Sequence, residues 1–186
     1  NAAILEDNLA MMERWLEFVA RAAACSPPGY NEMSPEQQAR NPYLWNKGHH
    51  FGDWLIPSLR KQPGGVQKGV EATFEVIASC FYAVTVKSFI EVLDALSCEG
   101  RGSIELNKKR DYFSERLAKI RQAVRDEYIG DDGIIRGDLQ GLYVMALHSG
   151  AAAGDLAVKV AARLAWLISQ NGDRLDTGFV STPYLL

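Results

Sequence analysis

The sequence has 186 residues, of which 47% are hydrophobic and 23% charged. That is enough chain for one compact domain with its own core, and the balance excludes a disordered chain, a collagen-like repeat and a disulfide-stapled miniprotein. Twenty Lys and Arg stand against 23 Asp and Glu, a net charge of -3 with neither sign gathered into a long block, which argues against nucleic acid or an anionic membrane as a partner.

The chain opens without a basic-then-apolar leader, and charges interrupt its apolar runs. No signal or transmembrane segment is therefore expected, and the location leans toward the cytoplasm. Asn1-Ala2 looks like the remnant of a cleaved tag. From Ala3 to Ala24, Leu5, Leu9, Met12, Leu16 and Val19 recur at steps of three and four, with Glu6, Asp7, Glu13, Arg14, Glu17 and Arg21 opposite. That spacing predicts a one-sided outer helix.

The stretch from Cys25 to Gly69 is too aromatic for a plain linker, holding Tyr30, Tyr43, Trp45, Phe51 and Trp54 with His49, His50 and Asp53. Such a loop folds onto the domain or onto a ligand. Aromatic planes beside carboxylates and amides suit sugars, whose C–H faces pack on rings while their hydroxyls bond to Asp, Asn and His. The plainer alternative is that these rings anchor the loop to the core.

Val70 to Leu96 is apolar around most of its circumference and is expected to be an inner helix. Ser103 to Ile129 returns to a narrow stripe of Phe113, Leu117, Ile120, Val124 and Tyr128 and is expected outside. Leu139 to His148 reads as inner, and Asp155 to Ser169, with its polar row Asp155, Lys159 and Arg163, as outer. A further inner helix is expected to start at Thr182, because Thr182-Pro183 is a cap followed by a first-turn proline. The three cysteines, Cys25, Cys80 and Cys98, are odd in number and unmatched in spacing. They fit a reducing compartment and imply no metal or other cofactor.

Outer and inner helices thus alternate, the pattern of antiparallel helical hairpins that form part of an all-α, α/α barrel. If successive helices run antiparallel, the loops 25–69, 130–138 and 171–181 share one rim, where the inner helices begin. The turns near Gly100-Arg101-Gly102 and Gly150 to Gly154 share the other. The long-loop rim is the place to seek a site. Within it, His49-His50 lacks a third ligand at a workable spacing, Asp131-Asp132-Gly133 is most simply a turn, and Asp138 is best read as a helix cap.

Three segments carry a resemblance: Phe51-Gly52-Asp53-Trp54-Leu55, Asp138-Leu139-Gln140-Gly141-Leu142-Tyr143-Val144-Met145-Ala146-Leu147, and Leu175-Asp176-Thr177-Gly178-Phe179-Val180-Ser181-Thr182-Pro183-Tyr184-Leu185-Leu186. In this order and spacing the chain resembles bacterial α-L-rhamnosidases, and the terminal block is the most specific of the three. The resemblance implies an (α/α)6 barrel, of which residues 1–186 would be a single-domain piece from the middle. It also implies a glycosidase that releases terminal L-rhamnose with inversion, using a general acid and a general base carboxylate. The family's acid lies in an Asp-x-x-x-Arg-Glu segment and its base near an Asn-His-Tyr-Ala segment. Neither motif occurs in this sequence, so no catalytic residue is assigned and the piece is expected to be inactive.

Carried over residue by residue, the resemblance makes Asp53 and Trp54 sugar contacts, with Asp176, Thr177, Gly178 and Phe179 shaping the same rim. Asp53 could instead cap its own turn. Asp176 stands where Thr is common in the family, and Ser181 where Gly is usual. The alternative function is a noncatalytic helical module that binds glycan or protein through the aromatic rim. Half a barrel would leave the inner helices open, so a homodimer through those faces is also expected.

Overall fold

The computed structural model describes residues 2–185. Asn1 of the expected tag remnant and Leu186 of the terminal block lie outside them. Five long helices form where the periodicity predicts: α1 (Ala2–Ala24), then, after two short helices α2 (Pro35–Arg40) and α3 (Pro57–Arg60), α4 (Gly65–Leu96), α5 (Ile104–Tyr128), α6 (Gln140–Ser149) and α7 (Asp155–Gln170). The described residues hold no β-strand, only an isolated antiparallel bridge between Ile129 and Ile135.

The helix at the centre is α4, which packs against α1, α5 and α6, while α7 packs on α6. Val76, Ile77, Cys80, Tyr82, Val86, Phe89 and Leu93 of α4 are buried against Leu16 and Val19 of α1, Ile120 and Val124 of α5, and Leu142 and Met145 of α6. In α6 every residue from Gln140 to Ala146 is buried, whereas α7 buries only Val160 fully. The inner and outer assignments follow from this, since helices apolar all round must be covered and one-sided helices need not be.

By length and composition Gly65–Arg101 could cross a bilayer, although Glu75, Lys87, Glu91 and Asp94 interrupt it as expected; 56% of its most apolar window is buried inside the domain. The open apolar surface lies elsewhere than expected. On α1, Ile4, Met11, Trp15 and Phe18 are exposed, whereas the apolar residues of α6 are all at least partly buried, and on α4 the exposed large one is Val66 in the first turn. The inner helices are covered by α1, α5, α7 and the loops, which displaces the solvent-facing apolar stripe to the outer helix α1.

The long-loop rim forms as the antiparallel argument requires. At the long-loop rim, Arg40 pairs with Glu127 at 2.7 Å, Asn46 donates to the Tyr128 hydroxyl at 2.9 Å, and Arg136 pairs with Glu75. The turn after α6 does not reach the Gly100-Arg101-Gly102 end; it lies against the C-terminal half of α5, where Arg121 donates to the Ser149 carbonyl and Arg125 to that of Ala151. The long loop is folded rather than open: Ser34 and Gln37 form a reciprocal cap on α2, and the Lys47 ammonium donates to the carbonyls of Ala23, Asn41 and Leu44 at 2.8–2.9 Å. Burial pushes the Lys47 pKa down to about 8.

Candidate functional site

The three segments of the resemblance meet around one carboxylate. Asp53 is fully buried between the start of α6 and the turn at 178–181. Its Oδ1 accepts from the amides of Val180 (3.1 Å) and Ser181 (2.9 Å), and its Oδ2 from the Gly178 amide (2.8 Å) and the Ser181 hydroxyl (2.6 Å). Its own N–H donates to Thr73 Oγ1 at 2.7 Å, and that hydroxyl donates to the Gly69 carbonyl. Every polar atom of the Asp53 side chain is therefore engaged by protein, and burial leaves no face for a sugar hydroxyl. The expectation of a direct sugar contact at Asp53 is corrected on that ground: Asp53 holds the terminal block in place.

Two glycines make this approach possible. A Cβ on Gly141 would lie 1.9 Å from Asp53 Oδ2 and 2.6 Å from Ser181 Oγ. A Cβ on Gly178 would lie 2.3 Å from the Asp53 carbonyl oxygen and 2.5 Å from that of Trp54. Ser181, at φ -85° and ψ -24°, sits in the right-handed region, so no glycine is required there and its hydroxyl adds a bond to Asp53.

Asp176 serves another anchor. Its carboxylate accepts from the amide of Ser58 (2.8 Å) and from the Ser58 hydroxyl, at the start of α3, and its own N–H donates to Gln140 Oε1 at 2.7 Å. Gln140 Nε2 reaches the Arg174 carbonyl at 3.3 Å. Thr177 is buried and shares a hydroxyl bond with Thr182 at 2.8 Å. The expected helix at Thr182 is a single 3-10 turn, Thr182–Tyr184, among the described residues.

The surface these anchors carry is aromatic. The Phe179 amide donates to the Trp54 carbonyl at 2.8 Å, and their rings meet at 5.8 Å between centroids and 62° between planes. The Phe51 ring centroid lies 6.4 Å from that of Trp54 and 5.0 Å from that of His49. Phe51 and Phe179 are about two-thirds exposed, at 66% and 67%. Rings this open lie outside the core of this chain. Leu55, next to Trp54, has φ 64°, a left-handed conformation that branched side chains rarely adopt.

The neighbouring charges are paired. Asp138 does not cap α6, whose flanking residue Leu139 makes no side-chain cap; it accepts from Tyr143 and from Arg163, at 3.1 Å from the Arg163 Nε. Arg163 holds the Asp138 carboxyl below its ordinary pKa, and burial together with Asp138 pushes the Tyr143 phenol up to about 12. Asp132 accepts from the Ile134 amide in the expected turn. His50 touches the Lys47 carbonyl at 2.9 Å and packs edge-on to Trp45, and burial lowers its pKa. His49 and His50 thus take separate partners. Among the described residues no group of three or more His, Cys, Asp or Glu is placed to hold a metal.

A groove of about 470 Å³ lies well away from this rim, between α1 and α5. Lys109 there pairs with Glu13 at 2.6 Å and with Glu105, Arg21 with Glu17, and Arg116 donates to the Tyr82 hydroxyl; none of the three motifs reaches this groove, so the aromatic rim remains the candidate site. Sequence reasoning missed the anchors Ser58, Thr73, Gln140 and Gly141. Gln140 and Gly141 lie inside a motif whereas Ser58 and Thr73 do not, and the site partners of the four stand 20 to 118 residues away in the chain.

A family model described as the bacterial alpha-L-rhamnosidase six-hairpin glycosidase domain matches residues 1–186. An alpha-L-rhamnosidase of Streptomyces avermitilis is 29% identical over 136 residues, which are 73% of this chain and 11% of that protein. The chain therefore spans about a tenth of that curated relative. The crystal structure of a Streptomyces avermitilis alpha-L-rhamnosidase complexed with L-rhamnose superposes with a TM-score of 0.70 at 23% identity, covering 100% of this chain and 14% of that one. A native alpha-L-rhamnosidase from Aspergillus terreus does so with a TM-score of 0.61 at 20% identity, over 74% of this chain and 15% of the other. With its helical hairpins and its three interlocked motifs, the chain belongs to the bacterial α-L-rhamnosidase six-hairpin glycosidase domain family.

Proposed function

We propose that this chain forms one wall of a pocket for a terminal α-L-rhamnosyl unit, in a parent enzyme that hydrolyses the rhamnoside with inversion. The observation that carries the reading is the pair of exposed rings Phe51 and Phe179, each in contact with the partly buried Trp54, on a hydrogen-bonded base, at the rim where the inner helices α4 and α6 begin. Such rings suit the C–H faces of a pyranose, and the 6-methyl group of a deoxyhexose adds to the apolar contact. The Streptomyces avermitilis relative crystallised with L-rhamnose supports the choice of sugar.

Inversion needs an acid to protonate the leaving oxygen and a base to activate water, roughly 6.5–9.5 Å apart. Of the rim carboxylates, Glu75, Glu127, Asp138 and Asp176 are each held by a donor and Asp53 is saturated, and the segments that carry acid and base in the family do not occur in this sequence. The acid and the base are therefore assigned to other parts of the parent, and the isolated chain binds without hydrolysing. Titration calorimetry with L-rhamnose tests this. Binding on the order of millimolar is expected, weakened at least tenfold in Trp54→Ala, with no nitrophenol released from p-nitrophenyl α-L-rhamnoside. Absence of heat in the unaltered chain would remove the pocket role and leave the family assignment standing. Release of nitrophenol would overturn the assignment of catalysis elsewhere.

A further inference from the structure

The turn at 178–181 is attached to residues 53 and 54 by two different groups. Asp53 gathers three of its amides and one hydroxyl through a buried carboxylate, while the carbonyl of Trp54 receives the amide of Phe179. The ring pair Trp54 and Phe179 projects from between these two attachments. The floor beneath them is closed, because Gly141 and Gly178 approach so nearly that neither has room for a Cβ. The relative position of the two rings is thus decided below the surface, at a carboxylate that no ligand can reach.

We propose that Asp53 is a positioning residue: its carboxylate sets the spacing and tilt of the Trp54 and Phe179 rings, and through them the affinity of the rim for sugar. The second half of this statement rests on the rhamnose-pocket reading above. The first half, the ring geometry, can be read without any ligand. Asp53→Asn keeps the shape but turns one acceptor into a donor, which then faces the Gly178 amide or the Ser181 group. Ser181→Ala removes one donor and leaves the three amides.

Amide hydrogen exchange by NMR on the full chain reads the first half. The Gly178, Val180 and Ser181 amides are expected to exchange at least tenfold faster in Asp53→Asn, with the Trp54 to Phe179 ring cross-peaks weakened and the central amides of α4 unchanged. Ser181→Ala should give a smaller acceleration, about two- to fivefold, confined to the same turn. If Asp53→Asn does not fold, Ser181→Ala decides the matter, and unchanged exchange there overturns the proposal. Unchanged exchange and ring contacts in a folded Asp53→Asn overturn it equally.

A double-mutant cycle with Phe179→Ala reads the second half. Each single change is expected to weaken L-rhamnose about tenfold, and the double variant to bind no worse than Phe179→Ala alone, because Asp53 acts through that ring. Additive losses would show that Asp53 does not act through the Phe179 ring and would overturn the proposal. Should the unaltered chain bind no rhamnose, the pocket reading and this second half fail together, while the exchange measurement still decides the ring geometry.

Discussion

Tyr143 joins three segments through one hydroxyl, accepting from the buried Ile135 amide at 3.1 Å and donating to Asp138, which in turn holds Arg163 of α7. Replacing Tyr143 by Phe leaves the Ile135 donor unpaired, and the expected loss is about 1–3 kcal/mol of stability by denaturant unfolding. Gly141→Ala drives a methyl group into the Asp53 carboxylate and should cost about 3 kcal/mol, the upper part of the usual overpacking range. Burial lowers the pKa of both His50 and His148. For a base depressed in the folded state, the unfolded chain takes up the proton first. Stability is therefore full above the unfolded value of about 6.5 and falls with pH until the folded imidazoles also protonate. Thermal melts between pH 7.5 and 5.5 should show that decline, and His50→Gln should flatten it.

Among the elements, the loop at 171–181 has little secondary structure and depends on side chains from elsewhere. Gln140 of α6 reaches both Arg174 and Asp176, and Asp176 reaches Ser58 at the start of α3. Gln140→Ala should free this loop without unfolding α6, whose next six residues are buried. Limited proteolysis is expected to cut near Arg174 several times faster in that variant, with the helix signal in far-UV circular dichroism unchanged. The five long helices were legible because burial of an apolar face imposes a 3.6-residue period on the sequence. The loop was not, because its hydrogen bonds come from residues distant in sequence and leave no local period. The motif residues were legible as a set, but Asp53 and Asp138 were given the wrong tasks: an isolated Asp looks the same whether it faces sugar, caps a helix or accepts from a distant turn.

In the assembled domain, an apolar stripe remains on α1 at Ile4, Met11, Trp15 and Phe18. Trp15 and Phe18 stack at 5.6 Å between centroids, and Met11 and Trp15 line an apolar groove against Thr85, Ser88 and Val92 of α4. We propose that the isolated chain associates through this stripe. Light scattering at tens of micromolar is expected to show dimers or larger species, and Trp15→Glu with Phe18→Glu should return the chain to monomer. A clean monomer before substitution would show that the stripe is tolerated in water.

Periodicity, parity and motif order in the sequence were sufficient for the helices, their inner and outer ranks, the shared rim and the family, because each is written in local spacing or in residue type. The role of each rim residue was settled by packing across more than a hundred residues of chain. Asp53 is sealed by the turn at 178–181, while the rings of Phe51 and Phe179 stay exposed and that of Trp54 is partly buried between them and the base. Burial and hydrogen-bond partnership arise only when distant segments meet, so no reading of neighbours along the chain can assign them.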